Sequence, residues 1–176
     1  RQMCIRDSVY NEKELEELAM KVGSDVPFFI KNKTARVGGK GNKVELVENN
    51  LKDSLILVKP LGFGVSTKDA YNSFDELDEV RYANFEKIVE CLRNDNRKDL
   101  EKYIENGLEQ GISERNADIK MFKAILNSVV PGKKFFMSGS GSTYYTFVTE
   151  IERSQIETRL RTFVDNVKII ISKTIN

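Results

Sequence analysis

Three segments place polar groups where chemistry could use them. In Gly23-Ser24-Asp25-Val26-Pro27-Phe28-Phe29 a carboxylate follows a helix end and precedes apolar residues. Set beside a core wall and partly desolvated, Asp25 could act as a base. The same residue could instead be a turn aspartate that hydrogen-bonds its own backbone ahead of Val-Pro. In Ser138-Gly139-Ser140-Gly141-Ser142-Thr143, alternating glycines lie between two apolar runs. Such a loop can turn several N–H groups inward, with hydroxyls alongside, and cradle a phosphate; a plain polar hairpin turn has the same composition. The third segment, Pro60-Leu61-Gly62-Phe63-Gly64-Val65-Ser66-Thr67, leads into a helix with Tyr71 one turn in. A glycine turn feeding a helix start favours anions, and Tyr71 could stack on a base or sugar. It could equally be an ordinary connection with a core tyrosine.

Other candidates are weaker. Val37-Gly38-Gly39-Lys40-Gly41 reads as a solvated hairpin. The acidic run Asp75, Glu76, Asp78 and Glu79 lacks the ligand spacing of a metal site. Cys4 and Cys91 form neither a metal nor a redox pattern. The chain has no histidine, so it cannot by itself build a Ser-His-Asp or Cys-His hydrolase. Phosphoryl transfer remains open, because positioning and charge stabilisation carry most of its catalysis.

Hydrophobic periodicity supplies the elements that must hold these segments. Leu15, Leu18, Ala19 and Val22 form a helical stripe, capped by Asn11 and ended by Gly23. Thr34–Val37 and Lys43–Val47 read as a hairpin, and Leu55–Val58 as a third strand. Ser66 or Thr67 can cap a helix running to about Phe74. Three further helical stripes follow: Phe85 to Leu92, Leu100 to Leu108, and Phe122 to Val129, the last stopped by Pro131-Gly132. Phe135–Met137 and Tyr144–Val148 are strands, then comes a helix carrying Ile156, Leu160, Phe163 and Val164, and Val167–Ser172 is a final strand. Hairpin-paired strands interleaved with helices predict an α+β fold, with helices packed on a mainly antiparallel sheet.

The 176 residues suit one domain or one domain with part of another. Lys and Arg number 28 against 27 Asp and Glu, a net charge of +1 that leaves no footprint for nucleic acid or an anionic membrane. No segment approaches the length of a spanning helix, and none resembles a cleavable signal. The expectation is a reduced, cytoplasmic protein acting on a small molecule. The amphipathic helix at 15–22 comes before any partner for its stripe, so the chain is expected to be part of a longer protein. Residues 1–8, which lack any clear period, are expected to be a scar.

The order of the motifs is more telling than any one of them. GSDVPFF, a glycine hairpin, VKPLGFGVSTKDAY and MSGSGST together resemble the GHMP kinase superfamily. The resemblance extends from about Glu12 to the C-terminus. Within the superfamily, the Val65-Ser66-Thr67…Tyr71 stretch resembles kinases of a cytidine-diphosphate-linked methylerythritol in the non-mevalonate route to isoprenoids, rather than mevalonate or homoserine kinases. The resemblance implies that residues 9–50 are a remnant of an N-terminal kinase domain and 51–176 a C-terminal one. It implies ATP and Mg2+ as cofactors, with no metal ligands assigned on this chain. Asp25 falls on the family's catalytic aspartate. Thr67 and Tyr71 fall on substrate-lining positions, and Ser138, Gly139, Ser140, Gly141 and Thr143 on a loop supporting the nucleotide phosphates. The departures are Ser142 where the family has proline, and the lack of the family's lysine-bearing strand and Pro-x-x-x-Gly-Leu-Gly-Ser-Ser loop. Lys13 and Lys21, on a helix surface, do not substitute, so this chain by itself is expected to turn over no ATP. The alternatives are a GHMP kinase for mevalonate or a sugar, and a non-catalytic α+β ligand-binding domain.

Overall fold

The computed structural model describes residues 10–174; the octet expected to be a scar lies outside them. The described residues divide into two compact units, 10–50 and 51–174.

In unit 10–50, α1 (Glu12–Val22) starts at a reciprocal cap. Asn11 Oδ1 accepts the Glu14 N–H at 3.0 Å, and Glu14 Oε2 accepts the Asn11 N–H at 2.8 Å. Gly23 ends the helix, its N–H donating to the Ala19 carbonyl. Its φ of 172° is extended backbone, so this stop does not depend on glycine's left-handed freedom. Of the predicted stripe, Ala19 is buried, whereas Val22 is 80% exposed. Residues Val26–Lys31 form a short helix, α2, tied to α1 by a 2.7 Å Lys31–Glu16 ion pair. Strands β1 (Ala35–Gly38) and β2 (Lys43–Leu46) form the antiparallel hairpin, in register Ala35↔Leu46 to Gly38↔Lys43.

Unit 51–174 is built on an antiparallel sheet in the order β4-β5-β3-β6, with β3 (Ser54–Pro60) paired on both sides. The other strands are β4 (Phe136–Met137), β5 (Tyr144–Val148) and β6 (Val167–Lys173). Side chains alternate between the two faces of β3 and β5. Ile56, Val58, Tyr144 and Val148 enter one core with Ile112, Ile119, Phe122, Leu126, Ile156 and Leu160. These come from α6 (Gly107–Arg115), α7 (Ala117–Val129) and α8 (Glu150–Phe163). Leu55, Tyr145 and Phe147 turn to the other face, against Cys91 and Leu100 of α4 (Phe85–Arg93) and α5 (Arg97–Tyr103). Each fully buried aliphatic or aromatic side chain contributes roughly 1.5–3 kcal/mol. Helix α3 (Thr67–Asp75) precedes α4.

The α+β architecture is as predicted, with one correction to the elements. The Leu100–Leu108 stripe reads as one helix in the sequence but is two. Ile104 turns to extended backbone after α5, and Asn106 starts α6 by accepting the Leu108 and Glu109 N–H groups. A side chain that satisfies the first N–H groups of a new helix outweighs continuation of the apolar period.

Candidate active site

Asp25 occupies the residue before α2, where Pro27 takes one of the first two helical positions, and its side chain makes no capping hydrogen bond. It is exposed, which corrects the expectation of a partly desolvated carboxylate against a core wall. The apolar residues that suggested such a wall wind instead into α2, where Pro27 is buried and Phe29 turns outward. Asp25 is therefore open to a ligand and is held by backbone rather than by burial. Part of that hold comes from the glycine hairpin. At Gly41, with φ +88°, an added Cβ would fall 1.8 Å from the Ser24 carbonyl oxygen. Only glycine tolerates both that backbone and that approach. The hairpin read as merely solvated thus packs on the residue next to Asp25.

In unit 51–174 the loop Ser138–Thr143 closes the β4–β5 hairpin, where Met137 pairs with Tyr144. Two bonds fold it on itself: the Ser138 N–H donates to the Thr143 carbonyl at 2.8 Å, and the Gly141 N–H to the Ser138 carbonyl at 3.0 Å. Gly139 and Gly141 sit at φ +55° and +88°. Ser138 and Gly139 are exposed and Ser142 is buried. The Gly139 and Ser140 N–H groups have no hydrogen-bond partner among the described residues. Two open N–H groups on successive residues beside serine hydroxyls can bind an anion.

Helix α3 brings a second predicted segment to this loop. Ser66 holds the cap position, but its side chain makes no capping bond. Thr67 Oγ1 instead lies 3.1 Å from Ser140 Oγ. Tyr71, four residues on and so on the same side of the helix, is 54% exposed rather than part of the core. Thr67, Tyr71 and Ser140 therefore share one neighbourhood, while Asp25 belongs to the other unit. In the acidic run that starts at the end of α3, Glu76 pairs with Arg115, and no group of three or more metal-ligating side chains occurs among the described residues.

Sequence reasoning missed the residues that hold the loop. Glu109, 8% exposed, accepts the Met137 N–H at 3.2 Å through Oε2, and its Oε1 pairs with Lys123 at 2.6 Å. Burial, then the charge of Glu109, pushes the Tyr144 hydroxyl well above the ordinary phenol range. Asn106 also reaches the loop from the start of α6. The available signal was Asn106, a capping residue type inside the Leu100–Leu108 stripe, which the unbroken apolar period assigns to the polar face of a single helix.

No protein-family profile matches the chain. Among curated proteins, it is 77% identical over 169 residues to the 4-diphosphocytidyl-2-C-methyl-D-erythritol kinase of Fusobacterium nucleatum, an overlap of 96% of this chain and 58% of that protein. Over nearly its whole length the chain is similar to this kinase, and its fold is that of the GHMP kinases. The kinase of the same name from Clostridium botulinum strain Kyoto is 34% identical over 157 residues, 53% of its length. The chain thus spans little more than half the length of the curated relatives it matches. A crystal structure of 4-(cytidine 5'-diphospho)-2C-methyl-D-erythritol kinase superposes with a TM-score of 0.74 over 98% of the chain, at 20% identity. Homoserine kinase from Cytophaga hutchinsonii gives 0.71 over 97%, at 15% identity. These structural likenesses establish the GHMP kinase fold.

Proposed function

We propose that the protein transfers the γ-phosphoryl group of ATP to the 2-hydroxyl of 4-diphosphocytidyl-2-C-methyl-D-erythritol, a cytoplasmic step towards isoprenoid precursors. The observation that carries this reading is the 77% identity to a curated kinase of that name. Asp25 accepts the hydroxyl proton as the new O–P bond forms and the bond to ADP breaks. Its exposure leaves it free to meet the substrate, and the Gly41 contact fixes the backbone beside it. Thr67 and Tyr71 line the methylerythritol and cytidine side.

The open Gly139 and Ser140 N–H groups suit phosphate oxygens, so the loop fits part of a nucleotide polyphosphate. With no ligand cluster among the described residues, Mg2+ would be held mainly by phosphate and water, supplying charge neutralisation at the transferred group.

The test is an ATP-coupled assay on the full-length protein with the diphosphocytidyl substrate, mevalonate and homoserine. Turnover of the first is expected, falling about 10²–10⁴-fold in Asp25→Asn. Preference for mevalonate would move the protein to another branch of the superfamily. An Asp25→Asn variant with full activity would remove the carboxylate from the mechanism.

A further inference from the structure

We propose that Asn106 is a positioning residue for the phosphate loop, aiming its open Ser140 N–H from the start of α6. The chemistry it serves rests on the kinase reading above; the geometry does not.

Asn106 uses the full hydrogen-bonding capacity of its amide. Oδ1 accepts the Leu108 N–H at 3.0 Å and the Glu109 N–H at 3.4 Å. Nδ2 donates to the Met137 carbonyl and to the Gly139 carbonyl, both at 2.9 Å. A helix cap needs only the first pair. The other asparagine caps of this unit lack the second. Asn84 and Asn116 cap through Oδ1, and the Asn96 amide turns back onto Asp99 within its own helix.

The peptide plane turns those two bonds into aim. In a trans peptide the C=O and the following N–H point in opposite directions. Drawing the Gly139 carbonyl onto Asn106 therefore points the Ser140 N–H away from α6, where it stays unbonded. One turn along α6, Glu109 holds the Met137 N–H, so this single residue is fixed through both its N–H and its carbonyl.

Helix α6 is itself placed against α3 by close contact. A Cβ on Gly107 would meet the Phe74 ring at 2.5 Å, and one on Gly111 the Ser73 carbonyl carbon at 2.6 Å. Because α3 presents Thr67 to Ser140, one helix sets both sides of the loop.

The decisive comparison is Asn106→Ser against Asn116→Ser in the full-length protein. Serine caps about as well as asparagine, so both variants keep their helix starts. Only Asn106→Ser loses the two bonds to the loop. It is expected to lower kcat by about 10–100-fold, with KM for the alcohol within about 2-fold, because misplacement by about 1 Å can cost 10²-fold. Asn116→Ser should match wild type in both constants. Hydrogen exchange at the Ser138 and Gly141 amides, which are bonded within the loop, should quicken in Asn106→Ser and stay unchanged in Asn116→Ser. If Asn106→Ser does not fold, Asn106→Asp, which keeps the capping oxygen and loses the donors, takes its place. Equal kcat and equal exchange in the two serine variants would reduce Asn106 to a cap and overturn the proposal. Should the wild-type protein phosphorylate none of the alcohols, the kinase reading fails and the exchange comparison alone decides the role of Asn106.

Discussion

Unit 10–50 carries Asp25 on a scaffold whose buried apolar side chains, among the described residues, are Ala19 and Pro27, while Leu18, Val22 and Phe29 face outward. Unit 51–174 carries its loop on a sheet covered on both faces, with Ile56, Val58, Leu126, Tyr144 and Leu160 essentially free of solvent contact. Among the described residues the extensive core therefore lies in 51–174, and the proposed proton acceptor sits outside it. Substitutions in the two units should consequently separate: those in the first weaken turnover, and those in the core of the second weaken folding.

The largest test of that contrast on stability pairs Leu126→Ala with Leu18→Ala. Leu126 is fully buried, so its truncation should cost about 2–5 kcal/mol in urea unfolding. Leu18 is 41% exposed, and its truncation should stay within about 1 kcal/mol. Equal costs would show that 10–50 has a core of comparable weight. A smaller effect is expected where α6 meets α3. Gly111→Ala forces a Cβ against the backbone of Ser73, which cannot swing aside, for about 1–3 kcal/mol. Gly64→Ala is the matched control, since nothing lies within 4 Å of its Cβ position. A neutral Gly111→Ala would mean that the two helices can part.

The smallest effect concerns pH. Burial alone would raise the Glu152 carboxyl, but hydrogen bonds from Lys133 and from the Thr149 backbone outweigh it and hold the group at about 2. Its contribution is therefore present above the ordinary value of 4.5 and lost as pH falls through about 2. With the side chain 36% exposed, solvent screening reduces this to the order of 1 kcal/mol. Asp53 and Glu101, in the same charged cluster around Arg97, are pushed upward by burial. Their share has the opposite sign, strongest at low pH and weakening as pH rises. The melting-temperature gap between wild type and Glu152→Gln should close between pH 5 and pH 2. A gap that persists at pH 2 would detach Glu152 from the acid response.

Local signals made most of the fold legible. The Asn11 cap, the Pro131-Gly132 stop and the short apolar runs of β3 and β5 each act within a few residues, and the elements they predict are present. The break between α5 and α6 was hidden because Leu108 continues the period of Leu100, Tyr103 and Ile104, and only the contacts of Asn106 show why the chain turns there. At the candidate site, residue identity pointed to the loop and to Asp25. It misjudged the exposure of Asp25, because the apolar residues beside it gave no sign that they would form a helix. Gly41, Asn106 and Glu109 act across 17, 33 and 28 residues respectively, distances at which sequence spacing carries no signal.

Central strand β3 has a consequence for how the chain is made. Its partners are β5 and β6, and Ser54 is matched by Lys173, about 120 residues later. Beyond it, the Thr174 hydroxyl donates to the carbonyls of Leu51 and Asp53, so the unit is fastened where its two ends meet. At synthesis rates of about 5–20 residues per second, β3 would leave the ribosome roughly 6–24 s before its last partner exists. Until β5 follows, about 90 residues after β3, the strand destined for the middle of the sheet has both edges bare, and until β6 follows it has one. The nascent chain is then most exposed to wrong pairing or to capture by a chaperone.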